Sequence, residues 1–468
     1  VVGSSNDARA LRHDDDDDHD DDYPRRGQVR IDVGITQTTR YEIEALAERR
    51  GPSSFPPDPF PTDHSSMMEA PVQTLPRVLC SSDAISSQAT SLTTTRAQGV
   101  GLLGCGTVGS GVARRLLASH PGLIRGIAVR DPLKPRDVPY HDFVGDAFDV
   151  VDDPSVRVVV ECIGGLGLAR ELVLRAIARG KDVVTANKDL IATEGPWLAA
   201  FAARTGASLR YEAAVGGAIP IVRALAGSLA GEDVLEIGGV LNGTTNFVLD
   251  AMESGAEYAE ALAEAQRLGF AEADPRSDVD GHDAAHKLAI LAGLAFRRPA
   301  LSPALARRGI GGISREDVRA GAERGLRLKL VAVARKAGDA IEAGVTPAFV
   351  PADHPFARPR GAENVVRVLG RGCGELVFSG AGAGGDATAS AVVADVLAAL
   401  DARERGLVAH EGEDLVAKPL RAPVLIRFAG GSVVTSDAIP LDDLEVAAGS
   451  AGWRGEVHSV IPVWRDAA

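Results

Sequence analysis

Five carboxylates and one lysine crowd the stretch from Gly269 to Lys287: Glu272, Asp274, Asp278, Asp280, Asp283 and Lys287 itself. Pro275 and Gly281 break the first half, which therefore reads as a loop. The second half reads as a helix. Asp283 and Lys287 lie four apart on one face, and Leu288, Ile290, Leu291 and Leu294 supply an apolar surface. A loop presenting carboxylates beside a helix presenting a lysine suits a small zwitterionic substrate. The carboxylates can hold an ammonium group, and the lysine can give a proton to a developing alkoxide. On this stretch alone, a solvated acidic loop before a surface helix is the alternative.

The elements that would position this chemistry lie upstream. Gly99 to Gly104 reads as a short buried strand, followed at once by Gly104-Cys105-Gly106-Thr107-Val108-Gly109 and by apolar residues at helical spacing (Val108, Val112, Leu116, Leu117). Strand, GxGxxG and helix together form a dinucleotide-binding signature. Gly104 permits the tight turn, Gly106 admits the pyrophosphate, Gly109 lets helix and strand approach, and the helix N-terminus faces the phosphates. The second strand, Gly126 to Arg130, ends in a cation. Arg130, with Lys134 and Arg136 behind it, suits a 2′-phosphate and points to NADP, whereas Asp131 could support NAD. Val156 to Cys162 is a further strand, followed by Gly164-Gly165 and a helix ending at Gly180. Asp182 to Thr185 is the next, and it delivers Lys188 to the carboxyl end of an open α/β sheet, near the nicotinamide or the reacting carbonyl. Downstream, Leu209 to Pro220 reads as a strand entering a glycine-rich turn with Pro220 in the first helical turn. Exposed carbonyls there, beside Glu212, could hold a hard cation. Val234 to Leu241 reads as a strand, Asn242 to Asn246 as a polar turn, and Phe247 to Met252 and Tyr258 to Leu268 as helices.

Composition bounds the rest. The chain has 468 residues and a net charge of −14, to which the runs Asp14–Asp18 and Asp20–Asp22 contribute heavily. That balance argues against a nucleic-acid binder. The four cysteines form no CxxC pair, which fits a reducing cytoplasm and no zinc site. No apolar run reaches the length of a membrane span. Residues 1–98, acidic and then rich in Ser, Thr and Pro, are expected to be a mostly disordered extension, without the features of a secretory signal or a transit peptide.

Taken together the motifs resemble those of the homoserine dehydrogenase family, over residues about 99 to 404. The resemblance rests on Gly101–Gly109, Val184-Thr-Ala-Asn-Lys188, Glu212–Pro220, Leu241-Asn-Gly-Thr-Thr-Asn-Phe247, Gly269–Lys287, His354-Pro-Phe356 and Gly380–Gly384. It implies NAD(P)-dependent interconversion of L-homoserine and L-aspartate 4-semialdehyde, within threonine, methionine and isoleucine synthesis. It also implies a Rossmann-type α/β domain (99–230), an α+β substrate and dimerisation domain (231–375) and a closing segment (376–404) whose Val392, Val393, Val396 and Leu397 pack on the cofactor domain. By position it makes Lys287 the proton donor, with Lys188, Asp278 and Asp283 also catalytic, and assigns substrate binding to Glu272, Asp278, Lys287 and His354. Cofactor contacts fall to Gly104, Gly106, Thr107, Val108, Gly109, Arg130, Ile163, Gly164, Lys188 and Gly384. A sodium or potassium ion would lie against Glu212, Val215, Gly217 and Ile219, and a homodimer is expected. Many members end in a regulatory ACT-type domain. Residues 405–468 hold strand-like runs (Val424–Phe428, Val460–Trp464) without its repeat. The competing readings are another amino-acid or semialdehyde dehydrogenase, which the Glu272–Lys287 stretch disfavours, and a cofactor-sensing regulator without turnover.

Overall fold

The computed structural model describes residues 99–299, 305–401, 416–436, 438–444 and 457–464. The expected disordered extension (1–98) and much of 405–468 lie outside the described residues.

The first half folds as the strand–helix alternation of its sequence requires. β1 (Gly99–Leu103), β2 (Ile124–Ala128), β3 (Phe143–Val144), β4 (Val156–Glu161), β5 (Asp182–Thr185) and β6 (Leu209–Arg210) form one sheet in the order β3-β2-β1-β4-β5-β6, every pairing parallel. The crossovers are α1 (Thr107–Ser119), α2 (Ala147–Asp152), α3 (Leu168–Ala178) and α4 (Lys188–Thr205). β1 and β4 are entirely buried, as a sheet covered by helices on both faces demands. The strand order reverses between β1 and β4, which opens a crevice at their carboxyl ends. The second strand ends two residues earlier than its apolar run suggests, so Arg130 stands exposed beyond it.

The second half builds a mixed sheet from β7 (Val234–Val240), β8 (Leu326–Ala337), β9 (Ala340–Pro351), β10 (Glu363–Gly370), β11 (Gly374–Ala381) and β12 (Ala417–Pro419), in the order β11-β10-β7-β8-β9-β12. Helices α5 (Gly243–Glu253), α6 (Tyr258–Arg267) and α7 (His282–Phe296) follow β7, with a single helical turn at Arg276–Val279, and α8 (Arg315–Ala322) precedes β8. The expected polar turn at Asn242–Asn246 is instead the start of α5. The Asn242 side chain accepts from the Thr245 N–H at 2.8 Å, and short polar residues at such a place cap a helix as readily as they make a turn. Helix α7 is no surface helix: Leu288 and Leu291 are fully buried, and it packs on β7 and β8 and against α4 of the first half. Burying each such leucine contributes about 1.5–3 kcal/mol.

The segment expected to close the molecule divides. Through Ala381 it is β11 of the second sheet, and only α9 (Gly385–Leu400) returns to pack on α1. Val392 and Val396 are fully buried against that first half, but Leu397 is 38% exposed, because the buried stripe i, i+4 from Val392 turns it away. Beyond β12, β13 (Arg421–Ala422) pairs with β16 (Ile439–Pro440), while β14 (Val424–Phe428) lies between β15 (Val433–Thr435) and β17 (Val457–Pro462). Arg427 reaches the buried Asp317 of α8 at 2.7 Å, and the Trp464 N–H donates to the Phe349 carbonyl at 2.7 Å, fastening this segment to the second sheet. Among the described residues no helix is long and apolar enough to cross a membrane.

Candidate active site

Three glycines shape the mouth of the crevice. At Gly104 φ is +95°, and a side chain would meet the Cys162 carbonyl at 2.8 Å; at Gly109 it would meet the Gly104 carbonyl at 2.1 Å. Gly106 faces open space and starts α1 with no side-chain cap, so among the described residues the N–H groups of Thr107 and Val108 in the first turn have no partner and are available to an anion. Gly384, at φ +116°, starts α9 in the same place: a side chain on the next residue, Gly385, would strike Thr107 at 2.8 Å. The turn after β4 completes the mouth. Ile163, Leu166 and Leu168 are 41%, 48% and 49% exposed there, an apolar lip beside the glycine turn. Glu161, fully buried at the end of β4, holds this lip. Its carboxylate accepts from the Ile163 and Gly164 N–H groups at 2.7 and 2.8 Å and from the Thr185 hydroxyl. Thr185 in turn accepts from the Asn187 N–H, and the Asn187 amide donates to the Gly165 carbonyl at 2.7 Å. One buried acid therefore sets both the lip and the turn that presents Lys188.

Lys188 opens α4, and its Nζ lies 2.6 Å from Asp283 Oδ1; the Lys287 Nζ lies 2.7 Å from Asp283 Oδ2. Asp283, on the first turn of α7 after the left-handed Gly281, is thus gripped by two lysines from opposite halves of the molecule. Burial acts to raise its pKa, but Lys287 and Lys188 outweigh that and hold the carboxyl well below its usual range. For Lys188 burial acts to lower the pKa, and the charge and hydrogen bond of Asp283 prevail, keeping the ammonium above its ordinary value. Lys287 also donates to the Leu241 carbonyl at 2.8 Å. An ammonium has three donors, so one Lys287 N–H has no partner among the described residues.

Asn242 ties the second carboxylate in. Its amide donates to Asp278 Oδ1 at 2.7 Å and to Asp283 Oδ2 at 2.9 Å, while the Thr244 hydroxyl donates to Asp278 Oδ2 at 3.0 Å. Burial and the neighbouring charge of Asp283 raise the Asp278 pKa against these hydrogen bonds. Asp283 does not stand open to a substrate ammonium, as the sequence alone would allow; its two oxygens are committed to the lysines. Glu272 lies exposed between α6 and Pro275. His354 is buried at the turn after β9, where its ring meets Phe356 edge-on at 4.6 Å and its Nδ1 accepts from the Phe356 N–H.

In the glycine-rich turn after β6, the Glu212 carboxylate is not turned outward. It accepts from the N–H groups of Val222 and Arg223 at 2.9 and 2.8 Å, and Pro220 precedes rather than enters the short helical segment at 221–228. Burial, opposed by those N–H groups and assisted by Asp395, pushes the Glu212 pKa up to about 7. Among the described residues no cluster of three His, Cys, Asp or Glu side chains could hold a metal ion. The residues that sequence reasoning missed are Glu161, Asn242, Thr244, Asp189 and His286. Asn242 was legible as a helix cap, whereas the others become visible only through their partners.

Comparison with known proteins agrees with this arrangement. Residues 104–212 match the family model described as the homoserine dehydrogenase NAD binding domain, and residues 220–397 match that of homoserine dehydrogenase. The chain is 46% identical over 319 residues to the homoserine dehydrogenase of Corynebacterium glutamicum, covering 65% of this chain and 72% of that protein. It is 40% identical over 324 residues to that of Bacillus subtilis, covering 66% and 75%. Among solved structures, the homoserine dehydrogenase of Thiobacillus denitrificans superposes with a TM-score of 0.72 at 35% identity, covering 78% of this chain and 99% of that one. A hyperthermophilic archaeal homoserine dehydrogenase in complex with NADPH does so at 0.56 and 26%, covering 66% and 99%. With the uncapped glycine turn, the lysine pair on Asp283 and these matches in hand, the chain belongs to the homoserine dehydrogenase family.

Proposed function

We propose that this chain interconverts L-homoserine and L-aspartate 4-semialdehyde with a nicotinamide cofactor, on the path to threonine, methionine and isoleucine. The observation that carries the reading is the Lys287 N–H left without a partner among the described residues, beside Lys188, both anchored on Asp283 at the carboxyl ends of β5 and β7. When bound, the nicotinamide would supply the hydride to the carbonyl carbon, or accept it from the carbinol carbon in the reverse direction. Lys287 then stabilises and protonates the oxygen, and Lys188 adds positive charge next to it. Asp283 fixes both ammonium groups, and Asp278 and Glu272 face the amino-acid end of the substrate. Absorbance at the reduced nicotinamide band, on mixing protein with homoserine and NADP or NAD, tests this directly. No change in either direction of reaction, with either cofactor, would falsify it.

The finer assignments belong to the same reading. Gly104, Gly106, Thr107, Val108, Gly109, Ile163, Gly164 and Gly384 surround the cofactor, and the exposed Arg130 favours NADP through the 2′-phosphate. Arg130→Ala is expected to reduce the NADP/NAD preference about tenfold, the loss of one charge-assisted hydrogen bond of roughly 1.5 kcal/mol; an unchanged ratio of kcat/KM values removes Arg130 from the assignment. Glu272→Ala is expected to raise the KM for homoserine with little change in kcat, since it would remove binding common to ground and transition states. A lowered kcat at unchanged KM would reassign it. His354 borders the site.

A monovalent cation would draw on the carbonyls of the Glu212 turn rather than on its carboxylate. Among the described residues no backbone N–H donates to the Val215 or Gly217 carbonyl, whereas that of Ile219 accepts from Ile221 at 2.8 Å. Rates in sodium or potassium chloride are expected to exceed those in tetramethylammonium chloride at equal ionic strength; equal rates count against the ion. A homodimer is supported by β11, an edge strand of the second sheet with Val377 38% exposed, because an open edge can pair with a second copy. Sedimentation at assay concentration reads the assembly, and a monomer there would exclude it.

A further inference from the structure

Beside the Lys188–Asp283 contact runs a second link between the same two helices. Asp189, the next residue of α4, accepts from His286 Nδ1 of α7 at 2.7 Å. Asp283 and His286 are three apart, hence on one face of α7. Consecutive residues of α4 thus engage one stripe of α7, and both links join the nucleotide-binding half to the second sheet. The Asp189 pKa is lowered, with the hydrogen bond from His286 as the largest cause, so the carboxylate is an acceptor and Nδ1 carries the proton.

We propose that His286 is a positioning residue: with Asp189 it fixes the rotation of the first turn of α4 against α7, and so holds Lys188 on Asp283. The proposal rests on the catalytic reading of Lys188 given above. Lys188 is 34% exposed and a point charge on a flexible stem, so its single ion pair adds little to what buried Leu190 and Ile191 do to fix the rotation of the first turn against α7. The Asp189–His286 link beside it, made by two shorter side chains, adds a constraint on that rotation. Neither residue needs to touch substrate or cofactor for this.

The test compares full-length His286→Ala, His286→Asn, His286→Gln and Lys188→Ala by steady-state kinetics, with hydrogen exchange of the first turn of α4 in the cofactor-free protein. His286→Ala is expected to lower kcat about tenfold to a hundredfold, the effect of displacing a catalytic group by about an ångström, with the cofactor Kd unchanged and faster exchange at 190–193. Asn places its amide where Nδ1 sits and is expected to restore both readouts; Gln places it near Nε2 and is not. Adding Asp189→Asn to His286→Ala is expected to cost nothing more, as for two members of one link. Wild-type kcat in His286→Ala, or an Asn variant as slow as Ala, overturns the proposal. Normal turnover in Lys188→Ala removes the catalytic reading and this inference with it, whereas a slow Lys188→Ala beside a normal His286→Ala removes this inference alone.

Discussion

Lys287→Ala lowers turnover by about 10²–10⁴-fold, the usual contribution of a positioned general acid, and leaves the cofactor Kd unchanged. The expectation follows from where the ammonium sits. Two of its donors hold the Leu241 carbonyl and Asp283, and the third is left for an oxygen that becomes basic as hydride arrives. Because that charge develops only in the transition state, kcat and kcat/KM fall together while cofactor binding, set at the glycine turn, does not. Single-turnover reduction of the semialdehyde isolates the step from product release. Near-normal turnover would end the assignment of Lys287, and the lysine to examine next would be Lys188, which shares the same carboxylate.

Asp283→Ala is expected to be the most damaging substitution for stability as well as activity. It leaves two ammonium groups facing each other and one amide hydrogen of Asn242 without this acceptor, in a site where Asp283 itself is 2% exposed. Breaking a buried ion pair by removing one partner costs about 3–5 kcal/mol; the partial exposure of Lys188 places this case toward the lower end. The pH dependence follows from the signs. The folded pKa of Asp283 is depressed, so its stabilisation is present above the unfolded carboxyl value of about 3.9 and is lost as pH falls through the lower folded value. The folded pKa of Lys188 is raised, so its share is present below the unfolded value of about 10.4 and is lost as pH rises through the higher folded one. Urea unfolding is therefore expected to show a constant deficit for the variant from about pH 5 to 9 and convergence with the wild type in strong acid. Equal stability at pH 7 would mean that the lysines do not depend on this carboxylate.

Much of this was legible in the residues themselves, because it is local. GxGxxG after an apolar run specifies strand, turn and helix through backbone sterics, and the structure places side-chain clashes at Gly104 and Gly109 where that motif requires glycine. The spacing of Asp283 and Lys287 put them on one helical face, and they meet at 2.7 Å. The parallel pairing of the first sheet agrees with the strand–helix alternation read in the sequence. One error fell at a boundary, where local signals are ambiguous, since Asn242 read as part of a turn and is a cap; another fell on a helix face, since Leu397 was expected to pack and is 38% exposed.

What only the tertiary structure decided are the pairings between residues distant in sequence. Nothing near Lys188 announces that Asp283 will share it with Lys287, that Glu161 will order both the cofactor lip and the Lys188 turn, or that Asp189 will find His286. The contacts of Lys188 and Asp189 depend on the packing of α4 against α7, whereas those of Glu161 depend on the pairing of β4 with β5. Sequence periodicity states which face of each helix is apolar, but not which partner it meets or in what rotation. The residue types of the proposed site were therefore determined residue by residue, whereas the pairing of Lys188 and Asp189 with α7 was determined by that one helix–helix contact.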